Sequence, residues 1–172
     1  MSNIRKVLQA TLIGAWLGLC PLQALAQSET NAAFAEMLYR QARDFMAAGN
    51  YAEACPKFAE SHRLDPATGT LLNLASCHEQ QGKLATAWLE YSDAALAARR
   101  DGRPDRVEFA QQRQALLEPK LSHLTLVLPT EADDPALELE LDGTRIGRAV
   151  LNMPTPVDPG KHTVKAKAPG KK

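Results

Sequence analysis

Aromatic residues make up only 5% of this 172-residue chain, and cysteine occurs three times. So thin an aromatic content does not suit a deep-pocketed enzyme core and points instead to one or two small domains. Neither sign of charge dominates, since 20 Lys and Arg stand against 20 Asp and Glu. Without a dense basic face to neutralise phosphates, nucleic-acid binding is disfavoured. A Gly-x-Ser-x-Gly turn, a Walker loop and a dinucleotide glycine loop are all missing, and no triad members share a foreseeable cleft. No closely spaced ligand pair of the zinc type occurs. The chain is therefore read as a non-enzyme with no cofactor and no metal.

What is there begins with export. Arg5 and Lys6 precede an apolar stretch from Val7 to Cys20, too short to span a bilayer comfortably. Ala24-Leu25-Ala26 then places small residues at −3 and −1 of a cut before Gln27. This is the pattern of a secretory signal over 1–26, cleaved between Ala26 and Gln27. Its removal takes two basic residues and no acidic one, leaving 18 against 20 and a net charge of −2. Leu17-Gly18-Leu19-Cys20 also looks like a bacterial lipoprotein processing site, although Leu19 is bulky where that site wants a small residue. Simple secretion to the periplasm or cell envelope is the leading expectation. Membrane contact follows only if the N-terminus is retained or lipidated at Cys20.

The mature chain reads the same way twice. Gly49-Asn50-Tyr51-Ala52-Glu53-Ala54-Cys55-Pro56-Lys57-Phe58 is answered 33 residues later by Gly82-Lys83-Leu84-Ala85-Thr86-Ala87-Trp88-Leu89-Glu90-Tyr91. One helical turn on, Ser61 matches Ala94. A period of about this length is one helix-turn-helix unit that must stack on a copy of itself to bury its apolar face. Thr30 or Asn31 is placed to cap a first helix, on which Phe34, Met37, Leu38, Gln41, Ala42 and Phe45 recur at threes and fours. Gly49-Asn50 ends it. A second helix carries Ala54, Phe58, Ser61 and Leu64 to Asp65-Pro66, and Thr68-Gly69-Thr70 caps a third on Leu71, Leu74, Ala75 and His78. Gly82 precedes a fourth helix, Leu84 to Arg99, facing in through Ala87, Tyr91, Ala94 and Ala95. Asp101-Gly102-Arg103-Pro104-Asp105 is a break, followed by a fifth helix on Val107, Phe109, Ala110, Arg113 and Leu117 that serves as a lid.

These residues resemble the tetratricopeptide repeat. Its small residues at the eighth, twentieth and twenty-seventh positions are matched by Ala42 and Ala75, by Ala54 and Ala87, and by Ser61 and Ala94; its aromatic at the twenty-fourth is matched by Phe58 and Tyr91. The resemblance implies a groove lined from the first helix of each pair. Carried over by position, that groove comprises Glu36, Tyr39, Arg43, Met46 and Ala47, then Gly69, Leu72, Ser76, Glu79 and Gln80, with Asn73 close by. Tyr39, Arg43, Asn73, Ser76 and Gln80 are the residues suited to gripping an extended protein or peptide partner. By the same positions Cys55 and Cys77 fall on neighbouring helices of a stack. In an oxidising compartment they form either a disulfide pinning the repeats together or two small buried thiols. His62 and His78 lie beside them, but His78 holds a position that is normally an aromatic core residue.

Beyond Pro119 the period changes to two. Leu124, Leu126 and Leu128 alternate, as do Leu137, Leu139 and Leu141 around Glu138 and Glu140. Asp142-Gly143 is a tight-turn signal, prolines 154, 156 and 159 punctuate the path, and His162 to Lys167 reads as a last strand. His123 and His162 are expected on strand faces, and the two glutamates as solvated charge. From Pro135 onward, Asp142-Gly143, Gly147, Pro159-Gly160, His162, Val164 and Pro169-Gly170 resemble a PEGA domain, a small β module of bacterial envelope proteins. The expected fold is thus α+β: a stack of about five helices over 31–118, followed by a small antiparallel β-sandwich-like module over 121–172. The expected function is an exported interaction or scaffold module binding through the groove. The alternative is a protein whose β module docks to cell-wall or surface polymer, the helices acting as a spacer.

Overall fold

The computed structural model describes residues 20–129, 134 and 136–168, with side chains from residue 28 onward. Most of the expected signal sequence, Pro135 and Pro169 to Lys172 lie outside the described residues, and so do the side chains of Ala26 and Gln27. Five helices, α1 (Cys20–Ala47), α2 (Tyr51–Leu64), α3 (Thr68–Gln80), α4 (Leu84–Arg100) and α5 (Pro104–Leu117), precede five short strands. The fold is α+β, a helical stack followed by a small β module. Among the described residues no helix is long and apolar enough to cross a membrane.

The sequence repeat becomes a repeat of helix endings. Gly49 and Gly82 both adopt positive φ, 72° and 77°, which lets the chain turn out of the helix without a Cβ clash. After α1, Asn50 N–H donates to the Phe45 carbonyl at 2.9 Å and Gly49 N–H to that of Met46 at 3.0 Å. After α3, Lys83 N–H reaches His78 at 2.9 Å and Gly82 N–H reaches Glu79 at 3.0 Å. The break after α4 closes the same way, with Arg103 N–H on the Ala98 carbonyl at 2.9 Å. Pro104 then opens α5, where its missing N–H costs no helical bond.

Two expected helix starts are corrected. Thr30 and Asn31 lie inside α1, which is already helical at Cys20; the Leu, Ala and Gln residues ahead of them are good helix formers, so a polar residue there does not begin the helix. Thr68 is likewise inside α3, and its hydroxyl donates to the Asp101 carboxylate at 2.6 Å rather than to its own helix.

Each hairpin buries alanines around one ring. Ala42, Ala54, Cys55, Phe58, Leu74 and Cys77 form one cluster, and Ala75, Ala87, Tyr91, Ala94, Ala95, Ala110 and Leu117 the other. Half-buried Leu71 packs against both. Alanines let the helix axes approach, and Phe58 and Tyr91, both fully buried, fill the gaps beside them. Ser61 takes the place of Ala94 in the first hairpin because its hydroxyl donates to the Ala35 carbonyl of α1 at 2.8 Å. Phe34 and Met37, expected on the buried face of the first helix, are exposed at 51% and 45%. The stripe of Ala35 and Ala42 is the one that α1 buries.

The strands are β1 (Ser122–Leu124), β2 (Glu138–Leu141), β3 (Thr144–Ile146), β4 (Thr155–Val157) and β5 (Val164–Lys167). They form two antiparallel sheets, β1 with β4, and a three-stranded sheet in the order β3-β2-β5. The Asp142-Gly143 turn joins β2 to β3 with φ of 50° and 81°, the two positive values a tight hairpin needs. The strand expected through Leu128 stops at Leu124, and β4, which contains Pro156, was not foreseen. Pro156 stands opposite His123 in a ladder of only two strands, where a missing N–H is tolerated.

One side chain of the β module reaches the start of a helix in the stack. Asp158, just after β4, accepts the Ala85 and Thr86 amides of α4 on Oδ1 at 2.9 and 3.0 Å, and the Thr86 hydroxyl on Oδ2 at 2.6 Å. The first amides of a helix have no partner within it, and here Lys83 at the N-cap supplies none from its side chain. Asp158→Ala is expected to lower stability by about 1 kcal/mol, as loss of a helix cap does. Urea denaturation of the variant beside wild type checks it.

Candidate functional site

An open recess of about 210 Å³ lies between α1, α2, α3 and α5, lined by Glu36 and Tyr39 from α1, Ser61 from α2, Gly69 and Thr70 from α3, Arg106 from α5, and Asp65. Tyr39 is set by its edge-on contact with the buried Phe58 ring, centroids 5.8 Å apart. Its hydroxyl accepts from Asn73 Nδ2 at 3.3 Å, and the same amide group donates to the Gly69 carbonyl at 2.8 Å. The Arg106 guanidinium lies over Gly69, 3.5 Å from where a Cβ would stand. Among the described residues no ion pair engages Arg106, whereas Glu36 is paired with Arg40 at 2.6 Å.

Of the five residues expected to grip a partner, the structure links Tyr39 and Asn73 beside this recess. Arg43 and Gln80 are exposed on α1 and α3 and do not line the recess. Ser76 has a different role. Its hydroxyl donates to Tyr91 at 2.9 Å while the Tyr91 hydroxyl donates to Glu79 at 3.0 Å, and Arg113 of α5 holds both oxygens of Glu79. Burial pushes the Tyr91 hydroxyl above its usual pKa, against the Ser76 bond and with the Glu79 charge. The Glu79 carboxylate raises Arg113 further. This chain of polar groups positions α5 on α3 and α4.

The fifth helix is accordingly more than a lid. It contributes Arg106 to the recess, Arg113 to Glu79, and Phe109 edge-on to Tyr91 at 6.2 Å. The three- and four-residue spacing of Arg106, Phe109 and Arg113 was the available signal. Phe109 and Arg113 were expected on the inner face of this helix, and Arg106, one turn before Phe109, was not.

Cys55 and Cys77 are joined in a disulfide, with Cα atoms 5.6 Å apart, and both are buried. The bond links α2 to α3 and removes both thiolates from any ligand set that might have recruited His62 and His78. His78 Nδ1 instead meets the Glu90 carboxylate of α4 at 2.8 Å, and the buried Nδ1 of His62 has no hydrogen-bond partner among the described residues. Among the described residues no group of three or more His, Cys, Asp or Glu converges as a metal site. Glu138 and Glu140 are drawn into cross-strand pairs with Arg145 at 2.8 Å and Lys167 at 3.4 Å. His123 is exposed on β1, and His162 sits ahead of β5 rather than within it.

The fold and site define a stack of two helical hairpins and a fifth helix carrying a β module, with a small polar recess on the face shared by α1, α3 and α5. Comparison with protein-family models, with characterised proteins and with solved structures finds no match.

Proposed function

We propose that this chain is a non-enzymatic, exported interaction module of the cell envelope, of tetratricopeptide type, and that it binds a protein or peptide partner across the face of α1, α3 and α5. The observation that carries this reading is the recess itself, with the Arg106 cation, which has no ion-pair partner among the described residues, and the Tyr39–Asn73 pair at its wall. A volume of about 210 Å³ is below that of a drug-sized pocket and suits one anchoring side chain of an extended peptide. Arg106 and Arg43 supply positive charge for an acidic or carbonyl-rich segment.

Pull-down from envelope extract with the chain from Gln27 to Lys172 tests the reading. Arg106→Glu and Arg43→Glu are each expected to reduce recovery of a specific partner about tenfold, the effect of reversing one charge pair. Recovery equal to wild type from both folded variants argues against the site. Mass spectrometry of the mature N-terminus tests export, with a chain beginning at Gln27 expected.

A second reading has one observation in its favour. All four residues of β5 are exposed, Lys165 and Lys167 among them, and would suit an anionic wall or surface polymer. Co-sedimentation with purified wall material, lost on reversing those two lysines and kept in Arg106→Glu, would select it.

A further inference from the structure

His162 is surrounded on both sides by acceptors. Its Nδ1 lies 2.6 Å from a carboxylate oxygen of Asp142, and its Nε2 lies 2.6 Å from the backbone carbonyl oxygen of Asp158. Neither an ionised carboxylate nor a carbonyl can donate, so both bonds exist together only when the ring carries two protons. A neutral ring keeps one bond and turns a lone pair toward the other oxygen.

Asp158 is also the residue whose side chain caps α4, through the Ala85 and Thr86 amides and the Thr86 hydroxyl. One residue therefore faces His162 with its carbonyl and the helical stack with its carboxylate. Asp142 is held in turn, because its Oδ1 accepts the Thr163 amide at 2.8 Å and its own amide donates to the Thr163 carbonyl at 2.9 Å. The charged groups that act on the ring are Asp142 on the β2–β3 turn and Asp158 after β4; Lys161 precedes the ring in sequence and Lys83 precedes α4. The amide end of α4 adds a partial positive charge that Asp158 answers.

We propose that the His162 imidazolium is a pH-sensitive latch between the β module and the helical stack: charged, it holds Asp158 on the start of α4, and neutral, it lets that residue withdraw. The bond to Asp142, with that to the Asp158 carbonyl, keeps His162 protonated above the usual histidine value, and the His162 bond, with that from the Thr163 amide, holds the Asp142 carboxyl below its own. The latch is fully present below the ordinary histidine pKa and is lost as pH rises through the raised one. On the acid side the Asp142 half is lost as pH falls through its lowered value. Docking is therefore firmest between about pH 4 and pH 6.5.

The Ala85 and Thr86 amides report the latch directly, because Asp158 is their acceptor. NMR of the chain from Gln27 to Lys172 between pH 5 and pH 9 follows the His162 ring and the exchange protection of these two amides, corrected for intrinsic rates. Protection is expected to fall about tenfold, as when one charge-assisted bond is released, with a midpoint coinciding with that of the ring. The Ala54 amide of α2 is expected to stay constant. In His162→Gln the two amides are expected to show low protection at every pH. Protection that is flat across the ring's titration overturns the proposal, and so does an unchanged transition in His162→Gln. Should that variant not fold, Asp142→Asn is expected to lower the His162 midpoint and carry the amide transition with it; an amide transition that stays in place refutes the latch.

Discussion

Phe58→Ala is expected to lower the stability of this protein by about 3–5 kcal/mol, the range for removing a buried ring from a packed core. Phe58 has no exposed surface and is the largest side chain in a cluster otherwise made of alanines, a leucine and a disulfide. Its neighbours Ala42 and Ala54 are too short to fill the space a lost ring leaves, and the backbone of α2 is tethered to α3 through Cys55. The half-buried Phe45, Met46, Tyr51 and Leu71 packed against the cluster can close part of the gap, so the cost is expected within that range rather than beyond it. Tyr39 also loses its ring contact, which loosens one wall of the recess. Denaturant unfolding monitored by far-ultraviolet dichroism checks the value. A change below about 1 kcal/mol would mean that the first hairpin does not depend on this ring.

Loss of the Cys55–Cys77 disulfide, by Cys55→Ser with Cys77→Ser, is expected to cost about 3 kcal/mol. The two cysteines are separated by 22 residues, and the bond removes the freedom of that loop from the unfolded chain. It crosses from α2 to α3, so it joins the two hairpins to one another rather than bracing either one internally. Both sulfurs are buried, which makes slow reduction under native conditions a further expectation. Because the disulfide and Phe58 share one cluster, the triple variant should lose less than the separate losses added together. Stability equal to wild type in the double serine variant would show that the hairpins hold without the bond.

Local and periodic signals made most of the helical stack legible in the sequence. Gly49 and Gly82 mark helix ends because positive φ is cheap for glycine alone. The alternation of Ala54, Phe58 and Ser61, repeated in Ala87, Tyr91 and Ala94, could be read because one helical turn sets its spacing. The Asp142-Gly143 hairpin was legible for the same local reason. What escaped was set by groups far apart in the chain. Asp158 caps a helix that begins more than seventy residues before it, and no pattern around either residue records that. The engagement of Ser76 by Tyr91 removed one expected gripping residue, and Arg106 entered the recess from a helix read only as a lid. Phe34 and Met37 had the right spacing for a core, yet α1 turns its alanines inward. Periodicity shows that a helix has two faces; which face is buried depends on the partner.

A partner is expected to meet the face of α1, α3 and α5. A photo-crosslinking amino acid at Arg43 or Gln80, exposed on α1 and α3, is expected to capture one and the same protein in exporting cells, while the same probe at Leu89, exposed on α4, captures none. Equal capture from Leu89, or no capture from Arg43 or Gln80 in a folded and exported chain, would contradict it.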